Sequence, residues 1–258
     1  MKHRYLVPIL GAALLLTLAA CNNNNSTPVF TGFYRLANGI TDSTANGGLK
    51  GDIANIPTVG PINFGQASGN NVVPEGSYKS QLTTGNGSGG TTTFTVNNVS
   101  VQHNHVITVF GYGTIAGNTL NGFAADEPIN GPTNGQAVVQ VLHAAHQASL
   151  TNSTLNFHVV TPAACTTTGS PSAAAFATST SNAPYAGAKY AIIVKDASDA
   201  VVLFCSGLGG IDLPYSDGSN VFQIAAVDSP SGQGNGSSIE VLLLDNNGGT
   251  KQLVNLKN

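Results

Sequence analysis

Five histidines are the side chains of this sequence best suited to metal chemistry. They are His103, His105, His143, His146 and His158. Imidazole nitrogens bind transition metals, so three of these rings would form a metal site if the fold brought them together. His103 and His105 are two residues apart and would share one face of a strand. A solvated strand end is the commoner role for such a pair, and His143 is expected to cap a turn through its ring nitrogens. No metal or other cofactor is predicted.

Motifs for nucleophilic catalysis or nucleotide binding do not occur in the sequence. It has no Gly-x-Ser-x-Gly elbow, and the glycine-rich segment 85–90 lacks the Gly-Lys-Ser/Thr of a phosphate-binding loop. Asp212 and Asp217 are not spaced as calcium ligands, and neither is Asp245 with the two asparagines that follow it. These segments are predicted to be turns, and the protein is predicted not to be an enzyme.

Cys21 closes the stretch Leu18-Ala19-Ala20-Cys21, which follows a basic start (Lys2 and Arg4) and an apolar run over 6–18. This order resembles the signal of bacterial lipoproteins over all of residues 1–21. In that family the cysteine thiol receives a diacylglyceryl group, the peptide is cut before it, and the new amino terminus is usually acylated, typically with palmitate. The resemblance implies a membrane partner through covalent lipid on Cys21, because two or three acyl chains hold a protein firmly on a bilayer.

Two other interpretations of this segment remain. A plain signal peptide cut after Ala20 would leave Cys21 unmodified. A retained transmembrane helix would need about 20 apolar residues, and this run is shorter and contains Pro8. Asn22 is not the Asp associated with inner-membrane retention, so the resemblance favours the outer membrane of the bacterial cell envelope.

Cys165 and Cys205 are the remaining cysteines. An isolated pair in an oxidising envelope compartment predicts a disulfide. Two buried free thiols are the alternative.

Charge and composition exclude one class of partner. Removal of residues 1–20 takes two of the nine basic residues and none of the 12 acidic ones, which leaves a net charge of −5. Nucleic acid is therefore not expected as a partner, since no basic surplus is present to neutralise phosphates. Only 8% of residues are charged and Trp is absent, a composition common in exported β-rich proteins.

The hydrophobic pattern predicts an all-β protein. Phe94 and Val96 alternate with polar residues over 91–101, and Leu155, Phe157 and Val159 do so in a later segment. Clusters of Gly, Asn, Asp and Pro separate such runs. The segment 173–177 is the one short helical candidate, and a loop is an equal alternative there.

An internal repeat indicates two modules. Phe64 precedes Tyr78 by 14 residues, and Phe176 precedes Tyr190 by the same interval. Aromatic residues that recur in this way are expected in the core. Tyr112, Tyr185 and Tyr215, which do not recur, are better candidates for exposed ligand contacts. The predicted organisation is a signal peptide over 1–20, a lipid-anchored flexible tether over 21–29, a first β-sandwich over 30–127, a linker over 128–136 and a second β-sandwich over 137–258.

A second resemblance covers most of residues 30–250. Val139-Gln140-Val141-Leu142-His143-Ala144, followed by Leu155-Asn156-Phe157-His158-Val159, resembles the opening of the bacterial family called domain of unknown function 4397. Gly76-Ser77-Tyr78 resembles the family's Gly-x-Tyr segment. Ala145, His146 and Gln147 depart from its Ser-Pro-Asp. The resemblance implies tandem immunoglobulin-like β-sandwich modules without an established chemistry.

These observations predict a lipid-anchored envelope protein that acts as a non-catalytic binding or structural module for protein or glycan partners. An exposed aromatic patch on one module would favour binding. A passive structural role would be expected if the modules pack together without a cleft. The alternative is a metal-binding protein or hydrolase that uses the histidines.

Overall fold

A computed structural model describes residues 29–54, 56–161, 165, 170–207, 210–230, 239–253 and 255–256. The predicted signal peptide, Cys21 and the tether up to residue 28 lie outside these residues. Within the described part of the chain, no helix has the length and apolar character needed to cross a membrane.

The first half of the chain forms two sheets that face each other. Its strands are β1 (Thr31–Ile40), β2 (Leu49–Ile53), β3 (Val59–Ile62), β4 (Asn71–Pro74), β5 (Gly76–Gly85), β6 (Thr91–Val101), β7 (His105–Gly113) and β8 (Asn121–Pro128). Sheet A has the order β4-β1-β7-β8, and sheet B has the order β3-β2-β5-β6. The alternation predicted over 91–101 is confirmed by β6, because Val96 is buried on one face between exposed residues.

The second half repeats this arrangement. Its strands are β9 (Ala137–Ala144), β10 (Thr154–Val160), β11 (Ser172–Ala175), β12 (Ala183–Tyr185), β13 (Ala188–Lys195), β14 (Val202–Cys205), β15 (Ile211–Leu213), β16 (Val221–Asp228), β17 (Ile239–Asp245) and β18 (Thr250–Leu253). A one-turn helix, α1 (His146–Ser149), follows β9. Sheet C has the order β12-β9-β16-β17-β18, and sheet D has the order β11-β10-β13-β14, with β15 also paired to β13.

The segment 173–177, expected to be a short helix or a loop, begins as a strand instead. Residues Ser172–Ala175 form β11, which pairs antiparallel with β10. The backbone hydrogen bonds offered by the neighbouring strand outweigh the helix preference of alanine.

The internal repeat is a repeat of topology. β1 and β9 each pair antiparallel with a short edge strand and parallel with a later strand, β7 or β16. The recurrent tyrosines are equivalent too, since Tyr78 donates a hydrogen bond to the carbonyl of Pro74 at 2.9 Å and Tyr190 to that of Ala186 at 2.7 Å. Both rings pack against the core of their own module, as the sequence predicted.

Three apolar clusters hold the fold together. One lies between sheets A and B, and one lies between sheets C and D. The third joins the outer face of sheet A to that of sheet C. It contains Ala37, Phe110, Tyr112, Phe123, Ala125, Leu142, Ala144, Ala225, Val227, Leu242 and Leu244. Phe64 and Phe176 pack against this third cluster, so their predicted packing role is confirmed at the contact between the modules.

The predicted disulfide is present. Cys165, in the segment between β10 and β11, is bonded to Cys205 at the end of β14, with an S–S distance of 2.05 Å. The bond ties this segment to the edge strand of sheet D.

Removal of this bond is expected to destabilise the protein. In the double variant C165S/C205S, loss of a cross-link over 40 residues should lower the free energy of unfolding by about 4 kcal/mol on the chain-entropy model. Urea denaturation of both proteins under non-reducing conditions measures the difference. A loss below about 1 kcal/mol would show that the bond does little to restrict the unfolded chain.

Candidate functional site

The two histidines predicted to share a strand face lie apart. His103 occupies the turn before β7, where its Nδ1 is 3.2 Å from the Thr31 carbonyl and its ring packs edge-on against Phe30. His105 begins β7, and its Nδ1 is 2.7 Å from a carboxylate oxygen of Asp126. The turn over 102–104 separates the two rings, so the predicted shared face is wrong.

His143 is buried at the end of β9 and caps the following turn, as predicted. Its Nε2 donates to the Asn152 carbonyl at 3.1 Å, and its Nδ1 accepts from the Ala145 N–H at 3.3 Å. Burial lowers the pKa of His143, and the hydrogen bond to Asn152 opposes that shift. His146 begins α1 and contacts the Phe176 ring.

His158 lies in sheet D, in the second module. Its Nε2 is 2.6 Å from a carboxylate oxygen of Asp199, and the Lys195 ammonium donates to the Asp199 carbonyl at 3.3 Å. His143 and His146 both pack against the Phe176 ring, whereas His103, His105 and His158 have other neighbours. In the part of the chain that the structure describes, no three His, Cys, Asp or Glu side chains are grouped to hold a metal ion.

The tyrosines expected to be exposed have packed rings. Tyr112 is buried and meets Phe176 edge-on at a centroid distance of 5.1 Å. The prediction was wrong for Tyr112 because the second module covers the outer face of β7. Tyr185 and Tyr215 are partly buried, against Tyr190 and Phe222 respectively.

The glycine-rich segment and the segments that follow Asp245 and surround Asp217 connect strands as turns, as predicted. A carboxylate oxygen of Asp245 accepts the N–H groups of Asn247 and Gly249, and Asp217 accepts that of Ser219. The turn predicted at Asp212 is wrong, because this residue lies in β15, opposite Lys189 of β13. Its carboxylate pairs with the Lys189 ammonium at 3.0 Å on the surface.

The structure contains a buried network of interacting polar side chains that the sequence did not indicate. Arg35 on β1 is fully buried. Its guanidinium donates to Thr108 on β7 at 3.0 Å and to Glu127 on β8 at 2.6 Å, both within the first module. It also donates to Gln223 on β16 at 3.0 Å, in the second module, and to the Asp245 carbonyl.

The network returns to the first module through a second glutamine. The Gln223 amide donates to the Gln140 side chain at 2.9 Å. Gln140 in turn donates to the carbonyls of Asp126 and Thr180, each at 3.0 Å. We call Arg35, Thr108, Glu127, Gln140 and Gln223 the inter-module network. It binds sheets A and C beside their shared apolar cluster.

Burial dominates the electrostatics of this network. It raises the pKa of Glu127 to about 7, against the opposing attraction of Arg35. Asp126 and Asp245 raise this pKa a little further. One carboxylate oxygen of Glu127 has no hydrogen-bond partner. A buried carboxylate that is only half satisfied gains from protonation, because the neutral form costs less to remove from water.

The network can hold the modules in register, but Arg35 and Glu127 are closed to a substrate. Both side chains have zero exposure. In the sequence, Arg35 is an isolated basic residue between Tyr34 and Leu36, both apolar core positions. A basic residue between two apolar strand residues is the sequence feature that could have indicated a buried arginine.

A polar cleft of about 430 Å³ opens at the surface of the first module, between the loop that precedes β2 and the β5–β6 hairpin. Asn46, Lys50, Thr83, Asn86 and Thr91 contribute to its lining. Hydroxyl and amide groups of this kind can hydrogen bond to sugar hydroxyls. No aromatic ring lines the cleft, so it lacks a stacking platform for a sugar.

In the comparison with known protein families, residues 35–152 match a domain of unknown function, DUF4397. The match supports the resemblance seen in the sequence, but it covers a shorter stretch than the expected 30–250. It runs from β1 through the first module to β9 and α1 of the second, so the DUF4397 region includes His143 and Arg35 together. No curated protein matches the chain.

Loss of Arg35 should destabilise the protein strongly. The variant R35M keeps much of the side-chain volume but leaves Glu127 buried without a cation, which costs about 3–5 kcal/mol. The matched control is K189A, which breaks the exposed pair with Asp212, where about 1 kcal/mol or less is expected. Urea denaturation at pH 8 measures both. Equal effects of the two variants would contradict the role given to the network.

Glu127 should also make stability depend on pH. Its pKa is higher in the folded protein than in the unfolded chain, so its contribution is complete below the unfolded value of 4.5 and is lost as the pH rises through about 7. The stability of the wild type relative to E127Q should therefore fall from pH 5 to pH 8 in thermal unfolding. His143, whose pKa is lowered by burial, is present in both proteins, so its own contribution cancels in the comparison. A relative stability that rises with pH would show that Arg35 keeps Glu127 ionised.

Proposed function

We propose that the chain is a lipid-anchored protein of the bacterial cell envelope, whose two fused β-sandwich modules act by binding or structural support. The observation that carries the proposal is the stretch Leu18-Ala19-Ala20-Cys21 behind a basic start and an apolar run. Asn22 favours the outer membrane by the same resemblance.

Two findings support the proposed compartment. The Cys165–Cys205 disulfide fits an oxidising space outside the cytoplasm, where such bonds persist. The DUF4397 match over residues 35–152 agrees with the resemblance to a bacterial family noted in the sequence.

The contact between the modules supports a structural or binding role. The outer faces of sheets A and C cover each other, and the inter-module network satisfies polar groups from both halves. Two modules fixed in this way present one rigid surface. A protein or glycan partner would have to bind outside this contact, and the cleft beside Lys50 is a suitable place for polar groups.

The metal-binding or hydrolase alternative receives less support. His105 pairs with Asp126, His143 caps a turn, and His158 pairs with Asp199 in another sheet. A shared site would require these rings to leave their present partners.

The experiment is metabolic labelling with radioactive palmitate in a bacterial host. The wild type should carry label and sediment with membranes, because acyl chains on Cys21 anchor it. The variant C21S should lose the label and move to the soluble fraction. The matched control C165S/C205S should keep both label and membrane association. An unlabelled wild type, or C21S in the membrane pellet, would overturn the proposal.

A further inference from the structure

Two exposed apolar side chains lie next to each other in the chain where β1 begins. Val29 and Phe30 are 73% and 53% exposed, and they account for two of the six large apolar side chains that are strongly exposed among the described residues. We call them the β1-end patch. Neighbouring exposed apolar side chains indicate a protein or membrane contact more often than single ones do.

The patch is held by the sheet beneath it. The Phe30 carbonyl accepts the Glu75 N–H at 2.9 Å, and the Phe30 ring packs edge-on against His103 at a centroid distance of 5.0 Å. The Phe30 side chain is therefore held at the ordered start of β1, with Val29 next to it in the chain.

The strand directions show which end of the molecule carries the patch. Arg35 on β1 reaches the carbonyl of Asp245, the residue that pairs with Phe222 at the start of β16. Further along β1, Gly39 lies against Val227, near the end of β16. β1 and β16 therefore run in the same direction, and β9 runs parallel to β16. All three strands begin at the patch end of the molecule.

Two other exposed apolar residues mark the opposite end. Leu150 follows α1, beyond the carboxyl end of β9. Val201 lies in the turn between β13 and β14, and the same turn contacts Asn152 through the N–H of Ala197. These residues provide internal controls for the patch.

The chain that precedes the patch limits its distance from the proposed anchor. Cys21 precedes Val29 by eight residues. Even fully extended, this segment spans at most about 29 Å, so an acylated Cys21 keeps the patch near the bilayer. The exposed carboxylate of Glu75 lies beside the patch and offers no attraction to anionic lipid. Apolar insertion, not charge, would supply the contact.

We propose that the β1-end patch rests on the bilayer that holds acylated Cys21, with Phe30 inserted at the lipid–water interface. This inference depends on the proposed lipid anchor. Burial of apolar side chains at the interface stabilises such a contact. The molecule then stands with the start of β1 toward the membrane and the α1 end directed away from it.

The experiment uses the absence of tryptophan from the chain. F30W and L150W each introduce a single tryptophan, one in the patch and one at the opposite end. Both lipidated full-length proteins are reconstituted in phosphatidylcholine vesicles that contain spin-labelled lipid. F30W fluorescence should be blue-shifted on reconstitution and quenched about threefold or more beyond that of L150W.

The outcomes separate this inference from the lipid anchor. If neither protein sediments with vesicles, the anchor itself fails and the proposed function falls with it. If both sediment but F30W is quenched no more than L150W, the orientation is wrong and the anchor stands. A blue shift of F30W in the soluble C21S variant that grows with protein concentration would assign the patch to a second copy of the chain and overturn the proposal.

Discussion

The buried guanidinium of Arg35 constrains the whole arrangement. A fully buried cation requires a nearby anion and acceptors for its remaining N–H groups, because an unpaired charge in the interior costs several kcal/mol. The first module supplies Glu127 and Thr108, while the second supplies Gln223 and the Asp245 carbonyl. Neither module alone supplies all the hydrogen-bond acceptors that the Arg35 guanidinium uses in the interior. Burial of Arg35 therefore requires the two modules to keep their present relative position.

An apolar contact alone would specify that position less well. The cluster that joins sheets A and C is built largely from Ala, Leu, Val and Phe, and such faces can slide against each other at small cost because hydrophobic attraction has no direction. Hydrogen bonds through Gln223 and Gln140 have directions and fixed lengths. They select one register. Burial of Glu127 opposes this arrangement, since desolvation raises the pKa of Glu127 to about 7 and one of its carboxylate oxygens has no hydrogen-bond partner.

The local hydrophobic pattern predicted most of the strands and turns of this fold. It could not predict the environment of residues whose partners lie far along the chain. The alternating strands, the repeated Phe–Tyr spacing, the turn formed by His143 and the disulfide all followed from residue types and their intervals. Tyr112 was misjudged because its cover comes from Phe176, far along the chain, and no local pattern records that neighbour. Arg35 was missed for the same reason, since its partner Glu127 is 92 residues away and Gln223 is 188 residues away. The short helix or loop expected over 173–177 was lost to pairing with β10.

The order of the sheets limits where this protein can meet other molecules. Sheets A and C each have one face in their module core and the other in the contact between modules, so both faces of both sheets are occupied. The outer faces of sheets B and D and the two ends of the molecule remain. Sheet B presents threonines there, and Thr83 and Thr93 bond to each other across its surface at 3.1 Å. A polar face of this kind suits water or a glycan, whereas the end that carries Phe30 suits lipid. An anchor attached eight residues before Val29 would use the apolar end against the membrane and leave the polar face of sheet B open to a partner.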